Sequence, residues 1–284
     1  MGEVTEARQA ALEISAGIGR GLRLDVAMER ATRRIDARDR AFVHELVYGV
    51  ARLRGRLDHL VGRRVHAGLG SLDASVLDVL RLGAHQLLYM DGVPRYAAVS
   101  QAVSQARRVS GKGAAGLVNA VLRGVADDGA GLELFPSFED ESAAFLETWG
   151  SHPRWLVDRW LARWPAGEVR ALVEADNRRP PVYLVPLRAS PEAAARILEE
   201  RGIAARPVGK GTLCLELPTG ACPRAALDAL PSLIQDPAAH LVVRYADVSP
   251  GMKVADLCAA PGGKALALAS GAAHTLAADR SERR

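Results

Sequence analysis

The residues best placed to do chemistry lie at the far end of the chain. Asp256-Leu257-Cys258-Ala259-Ala260-Pro261-Gly262-Gly263-Lys264 joins a strand-like segment, Met252 to Leu257, to a helical one, Ala265 to Ser270. Thr275-Leu276-Ala277-Ala278-Asp279 then reads as a second short strand ending in an acid. This is the opening of a βαβ unit whose small-residue turn lets a ligand approach the backbone. Asp279 follows Cys258 by 21 residues, the separation at which an acid on the second strand can bond ribose hydroxyls. The chemistry that suits this pattern is the holding of a nucleoside-bearing cofactor. A phosphate loop is excluded, because it needs Gly at 258 and Ser or Thr at 265, where Cys258 and Ala265 stand. Gly17-Ile18-Gly19-Arg20-Gly21 follows no strand and is not a dinucleotide loop.

Other reactive side chains are sparse. The three cysteines, Cys214, Cys222 and Cys258, can form neither a disulfide framework nor a Cys-x-x-Cys zinc pair. Cys214 and Cys222 precede the cofactor loop and read as buried or incidental thiols. The seven histidines show no ligand spacing, so no metal is expected. Aromatics are only 5% of the chain, which argues against an aromatic base-stacking platform. Trp155, Trp160 and Trp164 have helical spacing and are expected to pack rather than stack on RNA.

Charge is patterned. The net charge is +4, and from Arg20 to Arg64 twelve arginines face six acids. Val125 to Pro153 carries seven acids and no Lys or Arg, and Arg154 to Arg188 carries seven arginines against four acids. Two phosphate-facing regions with an acidic connector fit this layout, since guanidinium forks bind phosphate bidentately; solvated helix faces are the plainer account.

The elements that must position these groups follow from periodicity. Residues 1–125 read as helices throughout: Ala41 to Leu53, a helix capped by Ser71, one opening near Pro94 and bearing Val99, Val103 and Ala106, and one carrying Leu117, Val121, Leu122 and Val125. Trp155 to Trp164 looks helical. Val182 to Val185, Ile203 to Val208 and Thr212 to Leu217 are strand candidates around a helix opened by Ser190-Pro191 and ending at Gly202. The expected organisation is an all-α domain over 1–130, an acidic connector with a small α+β subdomain over 131–230, and the start of an α/β Rossmann-like domain over 231–284. No apolar run approaches the ~20 residues of a membrane helix, and Glu3 and Glu6 stand where a secretory leader would need an apolar core. A cytoplasmic monomer that does not engage membranes is expected.

The 256–264 segment resembles, nearly residue for residue, the S-adenosylmethionine motif of the RNA cytosine carbon-5 methyltransferases, the Sun/Fmu family. Asp39 to Gly49 and Asn119-Ala120-Val121-Leu122-Arg123 resemble the NusB-like helical domain that precedes the methyltransferase in RsmB-type members. Ser151 to Leu156 and Asn177 to Pro181 resemble that family's central region, and Gln235-Asp236 the approach to its catalytic domain. Ala265 departs from the pattern, which usually has Thr there. The resemblance implies methylation of carbon 5 of a cytosine in 16S ribosomal RNA. It implies that Cys258, Ala259, Ala260, Pro261, Gly262, Gly263 and Lys264 line S-adenosyl-L-methionine and that Asp279 holds its ribose. It also implies a cysteine thiolate that adds to carbon 6, so that carbon 5 becomes enamine-like. The family's catalytic cysteines lie downstream of the cofactor loop, so none is expected before Arg284. These 284 residues are therefore expected to be catalytically incomplete, with an uncovered apolar sheet edge and weak cofactor binding by themselves, and Ser281-Glu282-Arg283-Arg284 reads as the opening turn of a further helix. The NusB resemblance taken alone allows a non-catalytic RNA-binding or antitermination-type module.

Overall fold

A computed structural model of the chain describes residues 4–209, 211–218, 221 and 223–280. Cys222 and the helix start expected at Ser281 to Arg284 lie outside the described residues. The chain divides into two compact units, Met1–Arg178 and Arg179–Arg284.

The first unit is helical, as its periodicity predicts. It runs through α1 (Glu6–Gly19), α2 (Leu24–Thr32), α3 (Ala37–Arg52), α4 (Arg54–Gly62), α5 (Ala74–Tyr89) and α6 (Arg95–Asp128). Local chemistry sets the ends. The Asp36 carboxylate accepts from Asp39 N at 2.8 Å and caps α3. The cap expected from Ser71 is not made: Ser71 sits in a short 3-10 turn, its hydroxyl donates to Gly68 O, and Asp73 occupies the position before α5. The two helices expected on either side of Gly111 are both present as the two arms of α6, which meet at a kink where Gly111 takes φ 83°, a conformation that glycine reaches without a Cβ clash.

The core of these helices is aliphatic, with Leu46, Leu57, Leu80, Leu82, Val118 and Leu122 essentially without exposed surface. Polar groups are packed into it as well, His85 among them. His85 on α5 lies against Gly49 on α3, where a Cβ would stand 2.1 Å from the imidazole Nε2. Glycine at 49 is thus what admits the ring. Burial, and then the nearby Arg52 charge, pull the His85 pKa down to about 4. α4 and α5 are also tied by Arg81, 8% exposed, whose guanidinium grips Asp58 through bonds of 2.6 and 2.9 Å.

Three further helices, α7 (Ser142–Thr148), α8 (Arg154–Leu161) and α9 (Ala166–Asp176), complete the first unit. They enclose a second core in which Leu60 of α4 meets Phe135, Phe145, Leu146, Val157, Val169 and Val173. The Trp149–Ser151 turn is held from α4. Ser151 Oγ accepts from Gly55 N at 2.7 Å, and Arg56 Nε donates to Trp149 O at 2.8 Å. The Arg56 guanidinium also lies 4.6 Å from the Trp149 ring centroid.

The second unit opens with β1 (Tyr183–Pro186), α10 (Pro191–Glu199), β2 (Arg206–Pro207), β3 (Leu215–Glu216), α11 (Pro223–Ala229) and β4 (Ser232–Ile234). The strands form one antiparallel sheet in the order β2-β3-β1-β4, with Leu184 opposite both Leu215 and Ile234. Leu184, Ala194, Leu198, Leu215, Leu217, Ala226 and Leu230 make its core. Ser190 caps α10 as expected, its Oγ accepting from Ala193 N. The strands expected over Ile203 to Val208 and Thr212 to Leu217 shrink to two residues each. Both β2 residues are exposed, and Pro207 has no N–H to extend a ladder.

The unit continues through α12 (Pro237–Tyr245), β5 (Lys253–Asp256), α13 (Gly263–Ala269) and β6 (His274–Ala277). β5 and β6 pair in parallel, Lys253 with His274 through Asp256 with Ala277. Leu257 and Leu276 are 69% and 62% exposed beside this pair. Among the described residues no helix is long and apolar enough to cross a membrane.

Candidate functional site

The strand, small-residue turn, helix and strand expected over 252–279 are all present. Two turn carboxylates organise the loop. Asp256 ends β5, and its Oδ1 accepts from Cys258 N at 3.2 Å while its carbonyl accepts from Ala278 N at 2.8 Å. Asp279 lies just past β6, and its Oδ2 accepts from Ala260 N at 3.0 Å. Ala259 N donates to Ala278 O at 3.0 Å. The loop is therefore sewn to the end of β6 by backbone bonds and by one carboxylate. Sequence spacing alone did not disclose the second role of Asp279, as anchor of the loop it is expected to serve.

Gly262 stands at φ 102° and ψ −3°, directly before α13, and the Ala260–Pro261 peptide is cis. A Cβ at Gly262 would meet nothing within 4 Å, so the face is open, but its backbone conformation disfavours any L side chain. Ala265 and Ala267 turn the inner side of α13 into the unit, whereas Leu257, Cys258, Pro261, Lys264 and Asp279 are exposed. Gly263 lies close to Gln235, whose amide nitrogen would be 3.7 Å from a Cβ there. Asp236, the next residue, caps α12 by accepting from Ala238 N at 2.8 Å, as Asp-Pro at a helix start favours. The eight residues expected to meet the cofactor are thus brought together on one exposed rim. Its fit to an adenosyl group rests on small side chains, open space over Gly262 and a carboxylate at the strand end.

The cysteines separate in kind. Cys214 is fully buried before β3, and burial pushes its thiol pKa up. Cys258 is exposed in the loop.

The arginines of 20–64 also separate. Arg23, Arg33 and Arg64 are spent on Asp25, Glu29 and Asp128, and Arg54 lies near Asp58. Arg20, Arg30, Arg34 and Arg38 are exposed and make no ion pair among the described residues. They stand after α1, at the end of α2 and at the start of α3, and guanidiniums so exposed are able to meet phosphate.

The packing expected of the tryptophans holds only for Trp160, which lies against the second core. Trp155 and Trp164 are 67% and 43% exposed. The three do not share a face: at 100° per residue Trp155 stands about 140° around α8 from Trp160, so only one of the two can meet the core. The anchor of α8 is Val157, and Trp155 points away from it.

Comparison with known proteins places these parts. Residues 5–127 match the NusB family, and residues 152–222 match the ferredoxin-like domain of RsmF/B-like methyltransferases. The chain is 31% identical over 288 aligned positions to ribosomal RNA small subunit methyltransferase B of Pseudomonas putida, covering 97% of this chain and 63% of that protein. It is 30% identical to the protein of the same name from Cronobacter sakazakii, over 90% of this chain and 58% of that one. The chain thus spans about three fifths of the length of these relatives. The crystal structure of PH0851 superposes with a TM-score of 0.69 at 19% identity, covering 100% of this chain and 65% of that one, which establishes the shared fold. The chain therefore joins a NusB-family domain to an RsmF/B-type ferredoxin-like domain and is homologous, over nearly its whole span, to small-subunit ribosomal RNA methyltransferases B.

Proposed function

We propose that this chain belongs to a cytoplasmic, S-adenosylmethionine-dependent enzyme that methylates carbon 5 of a cytosine in 16S ribosomal RNA. The observation that carries the reading is the Cys258–Lys264 loop, anchored to the strand end by the Asp279 carboxylate. The names of the homologous proteins support a small-subunit ribosomal RNA substrate. Cys258, Ala259, Ala260, Pro261, Gly262, Gly263 and Lys264 would line the cofactor, with Asp279 at its ribose. When bound, that cofactor supplies an electrophilic methyl group.

The residues of this chain do the holding and the approach. The Asp279 carboxylate fixes the loop through Oδ2, which accepts from Ala260 N, and a carboxylate has acceptor sites for several donors. The exposed Arg20, Arg30, Arg34 and Arg38 would neutralise RNA phosphates. The target base must leave its stack to be reached, so a loop, a single strand or a flipped nucleotide is the substrate form. Among the described residues no cysteine is assigned as the nucleophilic thiolate: Cys214 is buried with a raised pKa, and Cys258 sits in the cofactor loop.

Deleting the gene and sequencing bisulfite-treated small-subunit RNA tests the reading. One protected cytosine should become convertible, and plasmid-borne gene should restore its protection. An unchanged pattern of protected cytosines would refute the enzyme and leave the non-catalytic RNA-binding module.

A further inference from the structure

Helix α8 is two-sided. Val157 is buried, and Trp160 and Leu161 pack on the second core. At 100° per residue, Trp155 lies roughly 160° around the helix from Val157. It projects away from the core with 67% of its surface exposed. Arg159 is one turn on and shares that face. Arg163 follows in the turn that prolongs the helix, where its N–H donates to Trp160 O at 2.9 Å. Both guanidiniums are exposed and have no ion pair among the described residues. The nearby acid, Asp158, is held by Arg154 at 2.7 Å.

We propose that this face is a stacking platform for an unpaired stretch of RNA. The Trp155 indole stacks on one base, and Arg159 and Arg163, further along the helix, hold phosphates that follow it. An exposed indole followed by unneutralised guanidiniums is the composition of a single-strand groove, where every base offers a π face and the backbone supplies the charge. A protein partner would instead call for a contiguous apolar patch around the tryptophan. Here the other neighbour on the face is the small Ala162, also exposed. The proposal rests on the RNA reading above and deepens it: the chain grips single-stranded substrate at α8, at a site separate in sequence from the 20–38 arginines.

The test is fluorescence anisotropy of the full chain with a short unstructured adenosine-rich RNA and with the same sequence as a duplex. Trp155→Ala should weaken single-strand binding by roughly fivefold to a hundredfold, with Trp155→Phe retaining most of the affinity. Duplex binding should change less than about twofold, because paired bases present no free face. Arg159→Ala and Arg163→Ala should each lower the salt slope of single-strand binding by about one. Ultraviolet crosslinking of the unsubstituted chain, read by mass spectrometry, should place RNA on the peptide containing Trp155, which keeps the test independent of any variant's folding. Single-strand affinity unchanged in Trp155→Ala would overturn the platform, as would crosslinks that avoid this peptide. Lost binding to intact small subunits with unchanged binding to free RNA would assign the face to a protein and overturn it too. Each of these results leaves the methylation reading to the bisulfite experiment, which fails or succeeds separately.

Discussion

His85 gives the first unit a built-in dependence on acidity, and its size can be worked out. The imidazole is 3% exposed, and burial with the Arg52 charge sets its pKa near 4 against about 6.5 in an unfolded chain. The unfolded state therefore binds the proton first as pH falls. Between those two values the unfolded chain holds more protons than the folded one, so stability declines with falling pH. The full difference of about 2.5 units corresponds to about 3.4 kcal/mol, with about 2 kcal/mol already lost by pH 5. His85→Leu puts an apolar side chain of similar bulk in the same place and removes the proton site. All four tryptophans, Trp149, Trp155, Trp160 and Trp164, lie in the first unit, so tryptophan fluorescence during urea unfolding reports on it alone. The unsubstituted chain should lose about 2 kcal/mol more than His85→Leu between about pH 7 and pH 5. Parallel stability curves for the two proteins over that range would refute the reasoning.

Other consequences are as direct. Gly49→Ala should destabilise the first unit by about 1–3 kcal/mol, because its methyl would stand against His85, and adding His85→Ala should recover part of the loss; urea unfolding of the double-mutant cycle measures both. Asp58→Ala leaves the nearly buried Arg81 without its main partner and should cost about 3 kcal/mol, seen in the same unfolding curves. Asp279→Ala removes the acceptor of the Ala260 N–H, so hydrogen exchange at that amide should accelerate about tenfold or more, while exchange in the helices of the first unit stays unchanged.

The parts legible in the sequence are those whose determinants are local. Ser190-Pro191 starts α10 where a cap and a preset φ predict it, and the turn from Asp256 to Lys264 declares its own strand and helix. What escaped depends on partners far along the chain. The bond from Ala260 N to Asp279 spans 19 residues, and no local pattern marks it. The exposure of Trp155 depends on which side of α8 meets Phe145 and Leu60, and that is fixed by packing rather than by period. Ser71 lost its expected role because the chain tightened into a 3-10 turn first, and Asp73, which stands before α5, gives its carboxylate to the Ser110 hydroxyl rather than to the helix end. The strand over 203–208 shrank because exposed residues and a proline without an N–H do not hold a ladder.

The clamp on the Trp149–Ser151 turn bears on modularity. The two family matches end at residue 127 and begin at residue 152, and the turn falls between them. Yet Gly55 and Arg56, inside the first match, make their bonds to it, and Leu60 buries itself against Phe135, Phe145 and Leu146. A piece excised at residue 127 would open Leu60 to water and strand Arg56 over a missing ring. The unit that evolution reuses is shorter here than the unit that folds, so a transplant of the NusB-type helices would have to carry the residues up to Arg178 with it.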